Sequence, residues 1–323
     1  MQSVRRLRIA YGLVIFILFA SLPSALYAEP IIADHTSVLS FEQIPISVIE
    51  TIQDSAHIYY ARTSHGYQII VGIDMIYSEN SSYQSPFFFQ EGDDLGYNGD
   101  TSWVPHTRTY LNSHPECNTA MFSWCSGVSS SSEEDINLYL AKMTELEQDY
   151  PNVTFVYMTG HLDGYGVDGN LYIRNNQIRD YCINNDKVFF DFADIESYDP
   201  DGNYYPDESD ACNWCYDWCA VHDCPTCGDC PHSHCFNCYL KGKAFWWMMA
   251  KIYGWSDNGL TAPSNCNASS GLCDYVHLSW NDNADNETGY RIKRDGAVLT
   301  TLPANSSSYN DTGANPGQEY DYT

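Results

Sequence analysis

Four short apolar runs constrain this chain most: Ala56 to Ala61, Thr119 to Cys125, Val153 to Met158 and Val188 to Ala193. Each has the length of a β-strand and is apolar on both faces. Helical patterns separate them. One follows Pro45, and another falls within Thr101 to Ser113. A third, from about Ser132 to Tyr150, is opened by a Ser131/Glu134 capping box and stopped by Pro151. Two more cover Asn170 to Ile183 and Asn237 to Trp255. Buried strands alternating with helices predict an α/β fold, a mostly parallel sheet covered by helices. Ser78 to Asp100, rich in Ser, Gly, Asn and Asp, reads as a long loop or lid.

In open sheets of this kind a ligand sits outside the carboxyl ends of the strands. Polar clusters fall at those ends four times: Ser64-His65-Gly66, Trp124-Cys125-Ser126-Gly127, Gly160-His161-Leu162-Asp163, and Asp194 with Glu196. This repetition is the physical argument for a site. The chemistry it suggests is acyl transfer by a serine. Ser64 would be the nucleophile and His232 the base. Asp229, in Asp229-Cys230-Pro231-His232 ahead of the last helix, would orient the imidazole. The backbone N–H groups of Ser64 and Gly127 and the side chain of His161 would receive the oxyanion. His65, Asp163 and Trp124 are the expected substrate contacts.

The first 28 residues read as a secretory signal: Arg5, Arg6 and Arg8, an apolar run from Ile9 to Ala20, then small residues and a cut after Ala28. No other stretch is long and apolar enough to cross a membrane. Export gives the thirteen cysteines a meaning, since oxidised thiols pair. Eight cluster in 212–238: Cys212, Cys215, Cys219, Cys224, Cys227, Cys230, Cys235 and Cys238. Three Cys-x-x-Cys pairs with His222, His232 and His234 nearby also have zinc-ligand spacing, and disulfides rank ahead of zinc. The odd count leaves one cysteine or more without an intrachain partner, and Cys182, within a helical pattern, is the candidate buried thiol. The formal net charge of −27 disfavours nucleic acid and anionic membranes. It suits an extracellular or cation-binding protein. Asp199, Asp201, Asn203, Asp207 and Asp210 fall at positions 1, 3, 5, 9 and 12 of a loop that could hold structural calcium. The alternative is an exposed acidic turn.

Ser64, Gly127, Gly160 with Asp163, and Asp229 with His232 resemble, in their order, the motifs of the SGNH (GDSL-like) hydrolase superfamily. The resemblance covers roughly Ala56 to Gly254. It departs in two places: the serine stands in Thr63-Ser64-His65-Gly66 rather than Gly-Asp-Ser, and His161 replaces an asparagine. Longer strings, such as Tyr157 to Gly164 and Asp191 to Tyr198, resemble a group of uncharacterised secreted bacterial proteins. The resemblance implies a flavodoxin-like three-layer sandwich over 34–256, with the Cys-rich insertion 211–238. It also implies an exported esterase or deacetylase, secreted or cell-surface, acting on carbohydrate or another extracellular ester without a required cofactor. Two other readings stay open: a non-catalytic binding or adhesion protein, and a metal-dependent hydrolase using His161, His232 and Asp163.

Residues 262–323 change character to short alternating strands and resemble a fibronectin type III domain, an all-β sandwich. Trp280 would be its core tryptophan and Tyr320 its corner tyrosine. The sandwich lacks its last strand, so the chain reads as part of a longer protein, with cell-surface or matrix attachment through further domains.

Overall fold

The computed structural model describes residues 30–256, 263–269, 275–283, 289–294, 297–315, 317, 318, 320 and 322. The expected signal segment, 1–28, lies outside the described residues. Six strands form one sheet: β1 (Ile31–Ala33), β2 (His57–Ala61), β3 (Phe87–Glu91), β4 (Thr119–Phe122), β5 (Thr154–Met158) and β6 (Val188–Phe190). Their order is β1-β6-β5-β4-β2-β3, and every pairing is parallel. The helices are α1 (His35–Ser40), α2 (Ile46–Ser55), α3 (Tyr67–Glu79), α4 (Trp103–Ser113), α5 (Gly127–Ser130), α6 (Glu133–Asp149), α7 (Asn170–Asn184), α8 (Phe192–Ser197), α9 (Asn213–Cys219) and α10 (Cys235–Ile252).

The central strands are buried on both faces, as their unbroken apolar sequences require: Ile58, Tyr59, Tyr60, Ala120, Met121, Phe155 and Val156 are all inaccessible or nearly so. From β2 the chain runs to β3 on one side, then returns to lay β4 on the other. The winding therefore reverses at the β2–β4 boundary. Apart from the added edge strand β1, this is the doubly wound order in which a crevice opens at the reversal point.

Helices α3 and α10 pack on each other at unusually short range. A β-carbon on Gly72 would collide with the Cys238 carbonyl, and one on Gly242 with the backbone of Gly72. Two glycines thus let two backbones touch, burying Ile69, Ile73 and Ile76 with Phe245, Met248 and Met249.

Four local expectations change. The stretch read as a loop from Ser78 to Asp100 contains the edge strand β3. Its Phe87 and Phe89 are 52% and 37% exposed, so the burial pattern that marks a strand is missing. The apolar run from Val188 is strand only to Phe190. There the Asp191 side chain accepts from Asp194 N–H, caps α8 and turns the chain. The capping box of α6 is Ser132 with Asp135, one residue later than expected. Finally, Ile31–Ala33 adds a strand beside β6 that was too short to read from sequence.

Beyond the α/β unit lie separate antiparallel sheets. One holds β7 (Ser264–Ala268), β8 (Val276–Asn281) and β11 (Ser308–Asp311). The other holds β9 (Gly289–Arg294) and β10 (Ala297–Pro303). Trp280 packs against Tyr290 with ring centroids 5.3 Å apart, and the Tyr320 hydroxyl accepts from Asn315 N–H at 3.0 Å. Among the described residues, no helix is long and apolar enough to cross a membrane.

Candidate active site

The eight clustered cysteines form four disulfides: Cys212–Cys215, Cys219–Cys224, Cys227–Cys235 and Cys230–Cys238. The last two pin the loop carrying His232 onto the first turn of α10. Cys117, Cys125, Cys182 and Cys266 are free thiols, and Cys182 is buried as expected. Cys125 differs from the other buried or remote thiols by its neighbours.

Cys125 follows β4 at the reversal point. Ser126 takes a left-handed conformation (φ 71°), and Gly127 opens the short α5. A β-carbon on Gly127 would strike the Gly96 carbonyl, so only glycine lets this turn close. Ser64 and His65 follow β2, across the same boundary. The Ser64 Oγ lies 3.3 Å from Cys125 Sγ, and His65 Nδ1 lies 3.2 Å from it. On the other side of its ring, His65 Nε2 lies 2.9 Å from Asp210 Oδ2.

Burial lowers the affinity of His65 for a second proton, and the neighbouring His161 and His232 act the same way. Together they outweigh the Asp210 hydrogen bond, so the pKa falls below the ordinary 6.5. Burial pushes the Asp210 carboxyl up, but the His65 hydrogen bond and the charges of His161, His65 and His232 prevail and hold it below its usual range. Near neutral pH the pair is therefore neutral imidazole and carboxylate. A carboxylate only accepts, so the single ring proton sits on Nε2 and the Nδ1 lone pair faces the thiol.

Three imidazoles stack here. His65 lies 3.7 Å from His161 at 3° and 4.2 Å from His232 at 11°, centroid to centroid. Among the described residues, His65, Asp210 and His232 form the one group whose donor atoms could surround a metal ion. A metal lies in the plane of each imidazole, about 2.0–2.1 Å along the nitrogen lone pair for zinc. Two nearly parallel rings 4.2 Å apart cannot both meet that condition. The stacked arrangement does not fit a shared ion.

The structure thus brings Ser64, His65, His161 and His232 together, but in other contacts than the expected relay. No hydrogen bond joins Ser64 to His232, which offers its ring face to His65 instead. Asp229 is exposed and away from the imidazoles, in a groove shared with Tyr67 and Asp74. His161 Nδ1 lies 2.8 Å from the Leu162 carbonyl, so its ring proton is spent there and neutral Nε2 is an acceptor. In that form it cannot donate to an oxyanion. Gly127 lies beside Cys125, where its N–H opens α5.

Trp124 is a core residue rather than a substrate contact. Its indole is buried and donates to the Met158 carbonyl at 2.9 Å. Asp163 accepts from Tyr165 N–H and lines a small cavity with Arg179, not the imidazole stack. In the acidic loop, Asp199 spends both oxygens on its own turn: on the N–H groups of Asp201 and Asn203, the Asn203 amide and the Tyr205 hydroxyl. Asp210 turns away to His65. Asp207 packs at Gly166. The loop's acids do not converge as a calcium set.

Two residues of this contact cluster fall outside the expected site. Cys125 stood inside a named polar cluster but was not read as a nucleophile. The sequence pattern puts Asp210 in the acidic loop. One signal could have found Cys125: it is a cysteine at a strand end, outside the paired cluster.

No family model matches the chain, and a search of curated proteins finds no match. Among solved structures, a Bacteroides fragilis protein described as a candidate acylhydrolase overlaps 62% of this chain and 88% of its own, with 9% identity and a TM-score of 0.38. An endo-β-1,4-mannanase from Thermotoga petrophila overlaps 75% of this chain and 55% of its own, with 12% identity and a TM-score of 0.24. Both overlaps are too loose to carry an argument, so the residues themselves must supply the chemistry.

Proposed function

We propose that this chain is an exported acyl hydrolase, an esterase or deacetylase acting through Cys125, His65 and Asp210. The observation that carries it is the continuous relay from thiol to imidazole to carboxylate, 3.2 Å and then 2.9 Å, at the sheet's reversal point. His65 Nδ1 takes the thiol proton while sulfur bonds to the ester carbonyl carbon. The C–O bond breaks, and the leaving alcohol takes the proton from His65. Water then gives a proton to His65 and attacks the thioester. The C–S bond breaks, and the proton returns to sulfur. Asp210 holds the ring tautomer and stabilises the transient imidazolium. Ser64 is placed to donate its O–H to the thiolate. The Gly127 N–H, two residues after Cys125 at the start of α5, is a candidate donor to the oxyanion.

The net charge of −27 supports neutral or cationic substrates, carbohydrate esters among them. The disulfides support an oxidising, extracellular setting. Residues 262–323, read as a fibronectin type III-like module, would serve as spacer or attachment.

The test is p-nitrophenyl acetate turnover by wild type, Cys125→Ala and Ser64→Ala, with and without chelator. The thiol reading expects Cys125→Ala to be inert, Ser64→Ala to be weakened and chelator to do nothing. Loss in Ser64→Ala with survival in Cys125→Ala would return the nucleophile to the serine. Wild type inert across an ester panel would leave a binding protein.

A further inference from the structure

We infer that the buried cluster Lys241, Glu196 and Gln68 is a positioning device that sets His161, His232 and Asp210 around His65. The inference rests on His65 being the site's base. All three side chains are fully buried, though one is a cation and one an anion. A core built for stability alone gains little from such a pair, because desolvation offsets the attraction and apolar residues serve as well or better. What the cluster holds is therefore informative.

Lys241 Nζ, on α10, donates to Glu196 Oε1 at 2.7 Å and to Gln68 Oε1. Each partner passes the connection on to backbone beside the site. Glu196 Oε2 accepts from Leu162 N–H at 2.7 Å. The Leu162 carbonyl, in turn, receives Asp210 N–H at 3.1 Å and His161 Nδ1 at 2.8 Å. Gln68 Nε2 donates to the Pro231 carbonyl at 2.6 Å, directly before His232, which is held at φ 63°. One ammonium thus anchors, through Glu196, the N–H of Leu162, the residue whose carbonyl receives both Asp210 and His161. Through Gln68 it fixes a second peptide that carries His232. The ring of His65 is faced by Asp210, Cys125, His161 and His232, with Glu196 within electrostatic reach. Three of those neighbours hang from the cluster.

The test replaces the pair by apolar residues, Lys241→Met with Glu196→Leu, and separately cuts one arm by Gln68→Met. Three readouts apply: the His65 NMR titration, the pH profile of Cys125 alkylation by iodoacetamide, and Tm. The positioning role predicts a moved His65 midpoint and alkylation slowed roughly 10-fold or more, because small displacements are costly at a reacting centre. Gln68→Met should show a smaller change of the same sign. A purely structural cluster would change Tm alone, and that result overturns the inference. If the double variant does not fold, Gln68→Met decides: an unchanged His65 titration and alkylation profile overturns it. Neither readout needs ester turnover. An inert wild type would sink the hydrolase reading and leave this result separate.

Discussion

His65 Nε2 lies 2.9 Å from Asp210 Oδ2, although the two residues are 145 positions apart. The contact depends on pairing elsewhere. Asp210 N–H bonds to the Leu162 carbonyl, and Ser209 bridges to Asp163, so the segment ahead of α9 lies along the loop after β5. Asp210→Asn keeps the shape and removes the charge that selects the ring tautomer. We expect kcat to fall by about 10³-fold or more, with Tm and near-ultraviolet circular dichroism little changed. Turnover within tenfold of wild type would mean that Asp210 does not orient the base.

The pKa of His65 lies below 6.5 in the folded chain, so kcat/KM should rise with pH along an acid limb centred below that value. The same shift affects stability. Between the lowered folded midpoint and 6.5 the unfolded chain binds the extra proton, so His65 makes stability decline as pH falls through that window. Asp210, depressed below 3.8, contributes stability that is present above 3.8 and lost as pH falls through its folded midpoint. A pH–rate profile with His65→Gln as control checks the first claim. An acid limb centred above 6.5 contradicts it.

Gly72→Ala places a methyl group against the Cys238 carbonyl where α3 and α10 touch. Overpacking of this kind costs about 1–3 kcal/mol. Because the partner is backbone, the upper part of that range is expected. Urea unfolding measures it, and a midpoint equal to wild type would show that the helices can part without cost.

Asp191→Ala removes the two carboxylate acceptors of the Arg179 guanidinium, which bonds Asp191 through Nε at 2.6 Å and Nη2 at 2.8 Å, and leaves it only the Asn176 Oδ1 contact of Nη1. Thr159 Oγ1 and Asp194 N–H lose the same partner. Removing one member of a fully buried pair costs about 3–5 kcal/mol; Asp191 is buried but Arg179 is partly exposed, so the loss falls at or below the lower end. This is expected as a lower urea midpoint. Recovery in Asp191→Ala/Arg179→Met would attribute the loss to the stranded cation.

Trp124→Phe deletes the hydrogen bond to Met158 O and leaves a small void. We expect about 1 kcal/mol or somewhat more in stability and an unchanged KM. A raised KM with unaltered stability would restore Trp124 as a substrate contact.

The amino-acid sequence by itself determined the α/β class, the central strands, the long helices and the strand ends that carry the polar clusters. These are local matters: an apolar run of strand length, a 3.6-residue period, a cap or a proline each act within a few residues. It also put Ser64, His65 and His161 on one side of the sheet, because chain order in a parallel sheet puts every strand's carboxyl end there, while His232, ahead of the last helix, is read only from its spacing to Asp229. Only the tertiary structure decided which of them touch. Asp229 is three residues from His232 yet lies exposed in a separate groove, while Asp210 arrives from a loop that reads as a calcium turn. Edge strand β3 stayed hidden because an exposed edge lacks the burial pattern that reveals a strand. Cys125 meets His65 across the β2–β4 boundary. That is a contact between residues 60 positions apart, and it exists only once the sheet has brought the two strands side by side.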